Sequence, residues 1–174
     1  MERGSAACKS QAELRGIQWI MTEPSPKVIL TVGHSNRPLE DFITLLREHE
    51  TEAVVDVRRF PTSKFEHFCK PNLEESLAKA GIRYYHVAEL GGFRHGYREY
   101  TETSEFGRGL NQLLKIASRF KTAVMCAEKL FFRCHRRFIA DRLVERGMTV
   151  LHVMNGRLYE HKRPDHERRR DTRL

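Results

Sequence analysis

The sequence predicts a single α/β domain, with a mostly parallel sheet of about five strands and helices on both faces. Two patterns lead to this prediction. Short apolar runs of strand length alternate along the chain with segments whose apolar residues recur at helical spacing, and no internal repeat interrupts them. The length agrees, because 174 residues, 40% of them hydrophobic, suit one domain with a sizeable core.

Each element is predicted from its own pattern. The predicted strands cover residues 28–32, 53–57, 82–87, 123–126 and 149–153, and the predicted helices cover residues 39–49, 73–80, 106–117 and 133–146. The helix at 106–117 has the clearest helical spacing. Asn72 and Glu75 have the spacing of a capping box. Gly81 and Gly147 fit the ends of two helices, where glycine is favoured.

The α/β domain is predicted to span residues 27–160. Residues 1–26 form a peripheral N-terminal segment of mixed character, in which Met21 is an alternative start to Met1. In residues 161–174 basic side chains outnumber acidic ones and no apolar residue recurs, so we expect a basic, disordered tail.

Composition limits the classes of protein that the chain can belong to. Four unevenly spaced cysteines do not resemble a disulfide framework, so a reducing, cytoplasmic location is expected. No apolar run approaches the roughly 20 residues that cross a bilayer, so we expect no membrane partner. The formal charge of +8 and the pI near 9.6 favour a polyanionic partner, such as a nucleic acid or a phosphate-bearing ligand.

The most unusual stretch of the sequence, residues 124–138, combines two thiols, a carboxylate, an imidazole and several guanidinium groups. Cys126 ends a predicted strand, and Cys134 begins a predicted helix. A helix N-terminus beside arginines favours anions, and ligands of open α/β sheets bind at the carboxyl ends of the strands. We therefore predict a site for an anionic ligand at this junction.

Other polar and glycine residues follow the remaining predicted strands. These clusters are Gly33, His34 and Ser35; Asp56, Arg58 and Arg59; Glu89, Gly91 and Gly92; Cys126 and Glu128; and Asn155, Gly156 and Arg157. If the strands are parallel, all five clusters lie at one edge of the sheet, where they could form one composite site.

These residues resemble a known family, the uncharacterised prokaryotic family catalogued as domain of unknown function 488. The resemblance covers residues 28–153 approximately. It rests on four motifs: Thr31-Val32-Gly33-His34-Ser35; Val55-Asp56-Val57-Arg58 with Pro61 close behind; Glu89-Leu90-Gly91-Gly92; and Cys126-Ala127-Glu128 followed by Cys134-His135-Arg136. It implies an α/β domain but no settled activity, substrate or cofactor.

The leading hypothesis is an enzyme that acts on a nucleic acid or nucleotide. Cys134 or Cys126 would be the thiolate, because cationic neighbours and a helix N-terminus lower the pKa of a cysteine. Glu128 would be a general acid or base, and His135 a proton carrier. The phosphate clamps would be Arg58, Arg136 and Arg137. Alternatively, both cysteines are core residues.

Two further hypotheses stay open. In a noncatalytic nucleic-acid-binding module, Arg59 would join the other arginines on phosphate, and Tyr97 would stack on bases within the aromatic and basic segment 93–100. A metal-binding or redox protein is the third hypothesis. The spacing of Cys126 and Cys134 and the surrounding arginines argue against a metal, so no metal site is predicted.

Overall fold

The computed structural model describes residues 28–92 and 96–162. The strands are β1 (Val28–Gly33), β2 (Ala53–Asp56), β3 (Arg83–His86), β4 (Thr122–Cys126), β5 (Thr149–Met154) and β6 (Arg157–Glu160). The helices are α1 (Leu39–Glu48), α2 (Lys70–Lys79), α3 (Tyr97–Tyr100), α4 (Ser104–Ala117) and α5 (Arg136–Glu145), with short 3₁₀ helices at Glu66–Phe68, Ala88–Leu90 and Phe131–Arg133. The predicted N-terminal segment, and the predicted tail beyond residue 162, lie outside the described residues.

The strands form one sheet in the order β3-β2-β4-β1-β5-β6. β1 to β5 are parallel, and β6 is antiparallel to β5. The predicted α/β class and mostly parallel sheet are confirmed. The sixth strand was not predicted, although Asn155 and Gly156 have φ angles of 49° and 72°, which suit the tight turn of a hairpin.

Apolar side chains cover both faces of the sheet, which explains the nearly continuous apolar runs of the parallel strands. On one face, Ile29 and Val124 pack with Phe106 and Leu110 of α4 and with Leu143 of α5. On the other face, the buried apolar residues of α1 and α2 pack against the sheet; the group includes Leu30, Phe42, Leu46, Leu73, Leu77 and Met125.

Two helix starts differ from the predictions. Helix α5 begins at Arg136 and not at residue 133, because Phe131–Arg133 forms a 3₁₀ turn and Cys134 is extended, with φ −114° and ψ 151°. Helix α2 begins at Lys70, so Asn72 lies inside its first turn and does not cap it. A proline near the helix start fits the first turn and explains the earlier beginning.

The predicted helix ends at Gly81 and Gly147 are confirmed, since both have left-handed φ angles of 78° and 77°. None of the helices within residues 28–92 and 96–162 is long and apolar enough to cross a membrane.

Candidate functional site

The carboxyl ends of β1 to β5 lie at one edge of the sheet, as the parallel strands require. A pocket of about 920 Å³ at this edge contains four predicted catalytic residues, Cys126, Glu128, Cys134 and His135. Its other lining residues are Gly92, Tyr97, Ala127, Phe132, Arg133, Arg137 and Phe138. The strand-to-helix junction predicted from the sequence is therefore the wall of a pocket.

The loop after β4 is held close to β1. The backbone N–H groups of His34 and Ser35 donate to the carbonyl oxygens of Cys126 (3.0 Å) and Ala127 (2.9 Å). A Cβ atom at Gly33 would lie 2.0 Å from the carbonyl oxygen of Glu128, so only glycine lets the loop approach this closely. The Glu128 carboxylate accepts a hydrogen bond from the Leu130 N–H (3.1 Å), which stabilises the turn.

The two cysteines of the pocket are in contact, and their pKa values are shifted in opposite directions. A hydrogen bond from Cys126 lowers the pKa of Cys134 to about 3; His135 and Arg136 act in the same direction, and burial opposes them. The same hydrogen bond, together with burial, raises the pKa of Cys126 well above its ordinary value. Cys134 is therefore the more acidic thiol of the pair, and Cys126 the less acidic.

Arg136 contacts Cys134 and is 1% exposed. Its Nε–H donates to Cys134 Sγ (3.4 Å), Nη1 donates to Thr31 Oγ1 (3.4 Å), and Nη2 donates to the carbonyl oxygens of Glu128 and Lys129. No carboxylate of residues 28–92 or 96–162 lies within salt-bridge distance of this guanidinium. A buried cation is usually paired with an anion, and Cys134 Sγ is the ionisable side-chain atom that this guanidinium contacts.

His135 connects the pocket with the neighbouring strand. Its Nε2 lies 3.0 Å from the Val57 carbonyl oxygen, so Nε2 carries a hydrogen and donates it. Its Nδ1 lies 3.7 Å from Cys134 Sγ. The imidazole is thus oriented by the backbone, with the other nitrogen facing the Cys134 sulfur.

The structure overturns the spacing argument against a metal. The ligand atoms of Cys126, Cys134 and His135 all lie within 4.8 Å of one another, because the loop returns the chain to the end of β4. The argument from charge remains, since a bound cation would lie beside the buried guanidinium of Arg136. The absence of a metal stays a prediction.

The mouth of the pocket is cationic and aromatic. Arg133 and Arg137 are exposed there, and the Phe132 side chain in the same lining is 48% exposed. Phe132 was not singled out from the sequence, since an exposed phenylalanine carries no signal by itself. Arg133 was expected only as one of the cationic neighbours of Cys134.

Tyr97 contributes to the wall of the pocket and does not suit the predicted role in stacking. It is buried, its hydroxyl donates to the Leu90 carbonyl oxygen (2.8 Å), and its ring contacts His135 and Phe138. Burial raises the pKa of its hydroxyl. Residues 93–95 of the same predicted segment lie outside the described residues.

The second strand end holds a closed cluster instead of an open site. Asp56 is fully buried and accepts hydrogen bonds from Arg58 Nε (2.9 and 3.1 Å), Arg58 Nη2 (2.6 Å) and the Tyr84 hydroxyl (2.7 Å). Arg58 Nη1 donates to the Phe68 carbonyl oxygen (2.9 Å) and lies 3.4 Å from His34 Nε2. Arg58 and Arg136 are both buried, which does not fit the predicted role of phosphate clamps.

Several other predicted residues lie in two further pockets. His34 and Ser35 line a pocket of about 540 Å³ that shares Ala127 with the pocket of about 920 Å³. Arg59, Glu89 and Gly91 line one of about 310 Å³. The predicted clusters share an edge but do not converge on a single pocket.

Comparison with protein families identifies one match. The family model described as Domain of unknown function DUF488 matches residues 38–143, more than half of the chain. Neither curated proteins nor solved structures gave a match. The matched range contains the Cys126, Glu128 and Cys134 site, whereas Gly33 and His34 precede it. The chain belongs to the DUF488 family, a family of unknown function.

Proposed function

We propose that this protein is an enzyme in which the Cys134 thiolate attacks an electrophilic centre of a phosphate-bearing ligand, a nucleotide or a nucleic acid. One observation supports the proposal above all others. The guanidinium of Arg136 is buried against Cys134 Sγ and has no carboxylate partner among residues 28–92 and 96–162. A thiolate supplies the missing negative charge, and a thiolate is the nucleophilic form of cysteine.

Cys134 is a better candidate for the nucleophile than Cys126. Cys126 donates its hydrogen to Cys134 and is the protonated member of the pair. Cys134 receives hydrogen bonds from Cys126 and Arg136, and its sulfur lines the pocket. Hydrogen bonds of this kind stabilise the anion before the substrate binds, at the cost of some nucleophilicity.

Two groups are placed to move protons. In the first step, Cys134 Sγ forms a bond to the electrophilic atom, and the leaving group departs with its electron pair and takes a proton from the acid. His135 Nδ1, which lies 3.7 Å from Sγ, is the nearer candidate for that acid. In the second step, the Glu128 carboxylate at the pocket wall would take a proton from water, which then displaces the sulfur.

The residues at the mouth of the pocket favour a ligand that carries both phosphate and a base. Arg133 and Arg137 can pair with phosphate oxygens, and the exposed ring of Phe132 offers a stacking surface for a base. The formal charge of +8 acts in the same direction over longer distances.

The first experiment is to measure the alkylation rate of each cysteine against pH with iodoacetamide, resolved by peptide mass spectrometry. We expect Cys134 to react with little pH dependence between about pH 5 and 8, because its thiolate is already formed. Cys69 is a free, half-buried thiol outside the pocket and provides the internal comparison. The same profile is recorded after treatment with a chelator.

A Cys134 rate that rises steeply through the ordinary range of cysteine would contradict the proposal. So would stoichiometric zinc in the purified protein together with alkylation that begins only after chelation, because the thiols would then be metal ligands.

A noncatalytic nucleic-acid-binding module predicts different results. Under that alternative, Cys134→Ser and Glu128→Gln would leave affinity for a single-stranded oligonucleotide unchanged, whereas Arg133→Ala and Arg137→Ala would weaken it and reduce its salt dependence. Under our proposal, Cys134→Ser abolishes the covalent step with a nucleotide-based electrophile. Arg137→Ala would weaken its capture by phosphate.

A further inference from the structure

A chain of buried and half-buried hydrogen bonds runs from Arg136 at the start of helix α5 to Asp141 in the same helix. Thr31 Oγ1 lies 3.4 Å from Arg136 Nη1 and 2.6 Å from His152 Nδ1. His152 Nε2 lies 2.9 Å from His161 Nδ1, and His161 Nε2 lies 2.9 Å from Asp141 Oδ1. Five side chains from four parts of the fold are thus connected end to end.

The chemistry of the two ends gives this chain one direction. Arg136 can only donate, so Thr31 Oγ1 accepts from it and donates its own hydrogen to His152 Nδ1. His152 Nε2–H then donates to His161 Nδ1, and His161 Nε2–H donates to Asp141. Burial lowers the pKa of His152 to about 3, which agrees with a neutral ring.

The fold brings these groups together from distant positions. His152 lies in β5, and its ring stacks on Phe131 with centroids 3.5 Å apart. The β5–β6 hairpin returns the chain so that the His161 N–H donates to the Val150 carbonyl oxygen (2.8 Å). Thr31, His152 and His161 all lie outside residues 38–143, the range that the family model matches.

The chain is not a path for protons to Cys134. A guanidinium does not release a proton in proteins, so transfer would stop at Arg136. A chain with a fixed cation at one end and a carboxylate at the other can, however, orient both.

We propose that Thr31, His152, His161 and Asp141 are positioning residues that hold Arg136 against Cys134 and thereby maintain the thiolate. This inference rests on the proposed function, because it assigns the residues behind the same nucleophile. The titratable or charged groups that act on Cys134 come from several elements; they are Cys126, Tyr97, His135, Arg136 and His152.

The test compares Thr31→Val with Thr31→Ser in the full-length protein. Valine has nearly the shape of threonine but breaks the chain, whereas serine keeps the hydroxyl. We expect Thr31→Val to move the pH of half-maximal Cys134 alkylation upwards by about one unit, or about tenfold less thiolate below that pH, and Thr31→Ser to leave it in place. A purely structural role would lower the unfolding temperature without moving this profile.

His161→Phe breaks the chain at its far end and is the milder variant should Thr31→Val fail to fold. We expect a shift in the same direction, of about threefold in thiolate, as an order of magnitude for a more distant hydrogen bond. In the double variant the shift should equal that of Thr31→Val alone, because the chain is already cut. Additive shifts would overturn the inference, since they would show independent effects.

A second readout separates this inference from the proposed function. In protein with ¹⁵N-labelled histidine, we expect His152 and His161 to show the tautomer protonated at Nε2. A different tautomer, or an unchanged alkylation profile in Thr31→Val and His161→Phe, would overturn only the positioning chain. An ordinary thiol profile for Cys134 in the unmodified protein, with both tautomers as expected, would overturn the proposed function, and with it the role of the chain in maintaining a thiolate, although the hydrogen bonds themselves would be confirmed.

Discussion

Two arginines are buried at the same edge of the sheet, and they are neutralised by different partners. Arg58 is 5% exposed and pairs with the carboxylate of Asp56, from which its Nη2 lies 2.6 Å away. Arg136 is 1% exposed and has a sulfur atom, Cys134 Sγ, at 3.4 Å in place of a carboxylate. The nature of the partner therefore distinguishes the two arginines: one pairs with a carboxylate, and the other contacts the thiol that we propose to be the nucleophile.

The surroundings of the two arginines differ in the same sense. The acceptors around Arg58 include the carbonyl oxygens of Thr62 and Phe68, and the Tyr84 hydroxyl donates to the same carboxylate. All of these contacts are made by buried or half-buried protein groups. The partner of Arg136, Cys134, instead lines a pocket of about 920 Å³. Burial alone therefore says little about the role of an arginine until the group that balances its charge is known.

The largest effect is expected from breaking the closed pair. Asp56→Ala leaves the Arg58 guanidinium buried without its anion and removes the acceptor of the Tyr84 hydroxyl. We expect a loss of about 3–5 kcal/mol in the free energy of unfolding, measured by urea denaturation. Asp56→Asn keeps an acceptor but loses the charge, so its free energy of unfolding should lie between those of the natural protein and Asp56→Ala. A loss below about 1 kcal/mol in Asp56→Ala would show that Arg58 does not depend on this carboxylate.

The next effect concerns the sulfur partner and depends on pH. Cys134→Ser removes the anion beside Arg136, which we expect to cost about 1–3 kcal/mol at neutral pH. The pKa of Cys134 is lowered to about 3 in the folded protein, against about 8.5 for a free cysteine. Its stabilising contribution is therefore complete above about pH 8.5 and is lost as the pH falls towards 3.

The measurement is the difference in unfolding free energy between the natural protein and Cys134→Ser at several pH values. We expect the difference to grow between pH 5 and 8, with a slope no steeper than about 1.4 kcal/mol per unit. A difference that stays constant across this range would mean that Cys134 is a neutral thiol in the folded protein. Arg136 would then need another anion.

Adding one methyl group at Gly33 should disturb the surroundings of Arg136 and leave those of Arg58 intact. A Cβ at this position would lie 2.0 Å from the Glu128 carbonyl oxygen, which accepts from Arg136 and not from Arg58. We expect Gly33→Ala to cost about 1–3 kcal/mol and to slow the alkylation of Cys134 at low pH, because the loop must move. Gly107→Ala is the matched control: nothing lies within 4 Å of its Cβ, and alanine in a helix should stabilise by about 0.5–1 kcal/mol.

The sequence was sufficient for the fold class and for the strand-to-helix junction that lines the Cys134 pocket, because both follow from local patterns. Strand and helix spacing predicted a parallel sheet, and parallel strands bring their carboxyl ends to one edge. The sequence was insufficient for the partners of the arginines. Nothing in the spacing of Asp56 and Arg58 shows that the guanidinium folds back onto the carboxylate. Likewise, the contact between Thr31 and His152 joins residues 121 positions apart.

The mildest expected effect tests whether the charges of the Asp56 and Arg58 cluster are balanced, with a neutral His34 beside them. Burial lowers the pKa of His34 to about 4, so the ring next to Arg58 is neutral at pH 7. A free histidine has a pKa of about 6.5. Between about pH 4 and 6.5, the histidine of the unfolded chain therefore binds a proton that the folded protein does not bind. The stability present above about pH 6.5 is lost as the pH falls to about 4.

His34→Phe should remove this pH dependence and keep the ring stacked on Phe68, whose centroid lies 4.0 Å from that of His34. The variant loses the contact between His34 Nδ1 and the Ser35 carbonyl oxygen, an offset of about 1 kcal/mol that does not vary with pH in this window. The advantage of the natural protein over the variant should shrink by about 1–2 kcal/mol between pH 6.5 and 5. The neutral ring of His152 titrates in both proteins and cancels from the difference. If the advantage instead stayed constant, His34 would accept a proton beside Arg58 without penalty. The closed cluster would then contain two cations against one carboxylate, and the distinction between the two arginines would no longer rest on balanced charge.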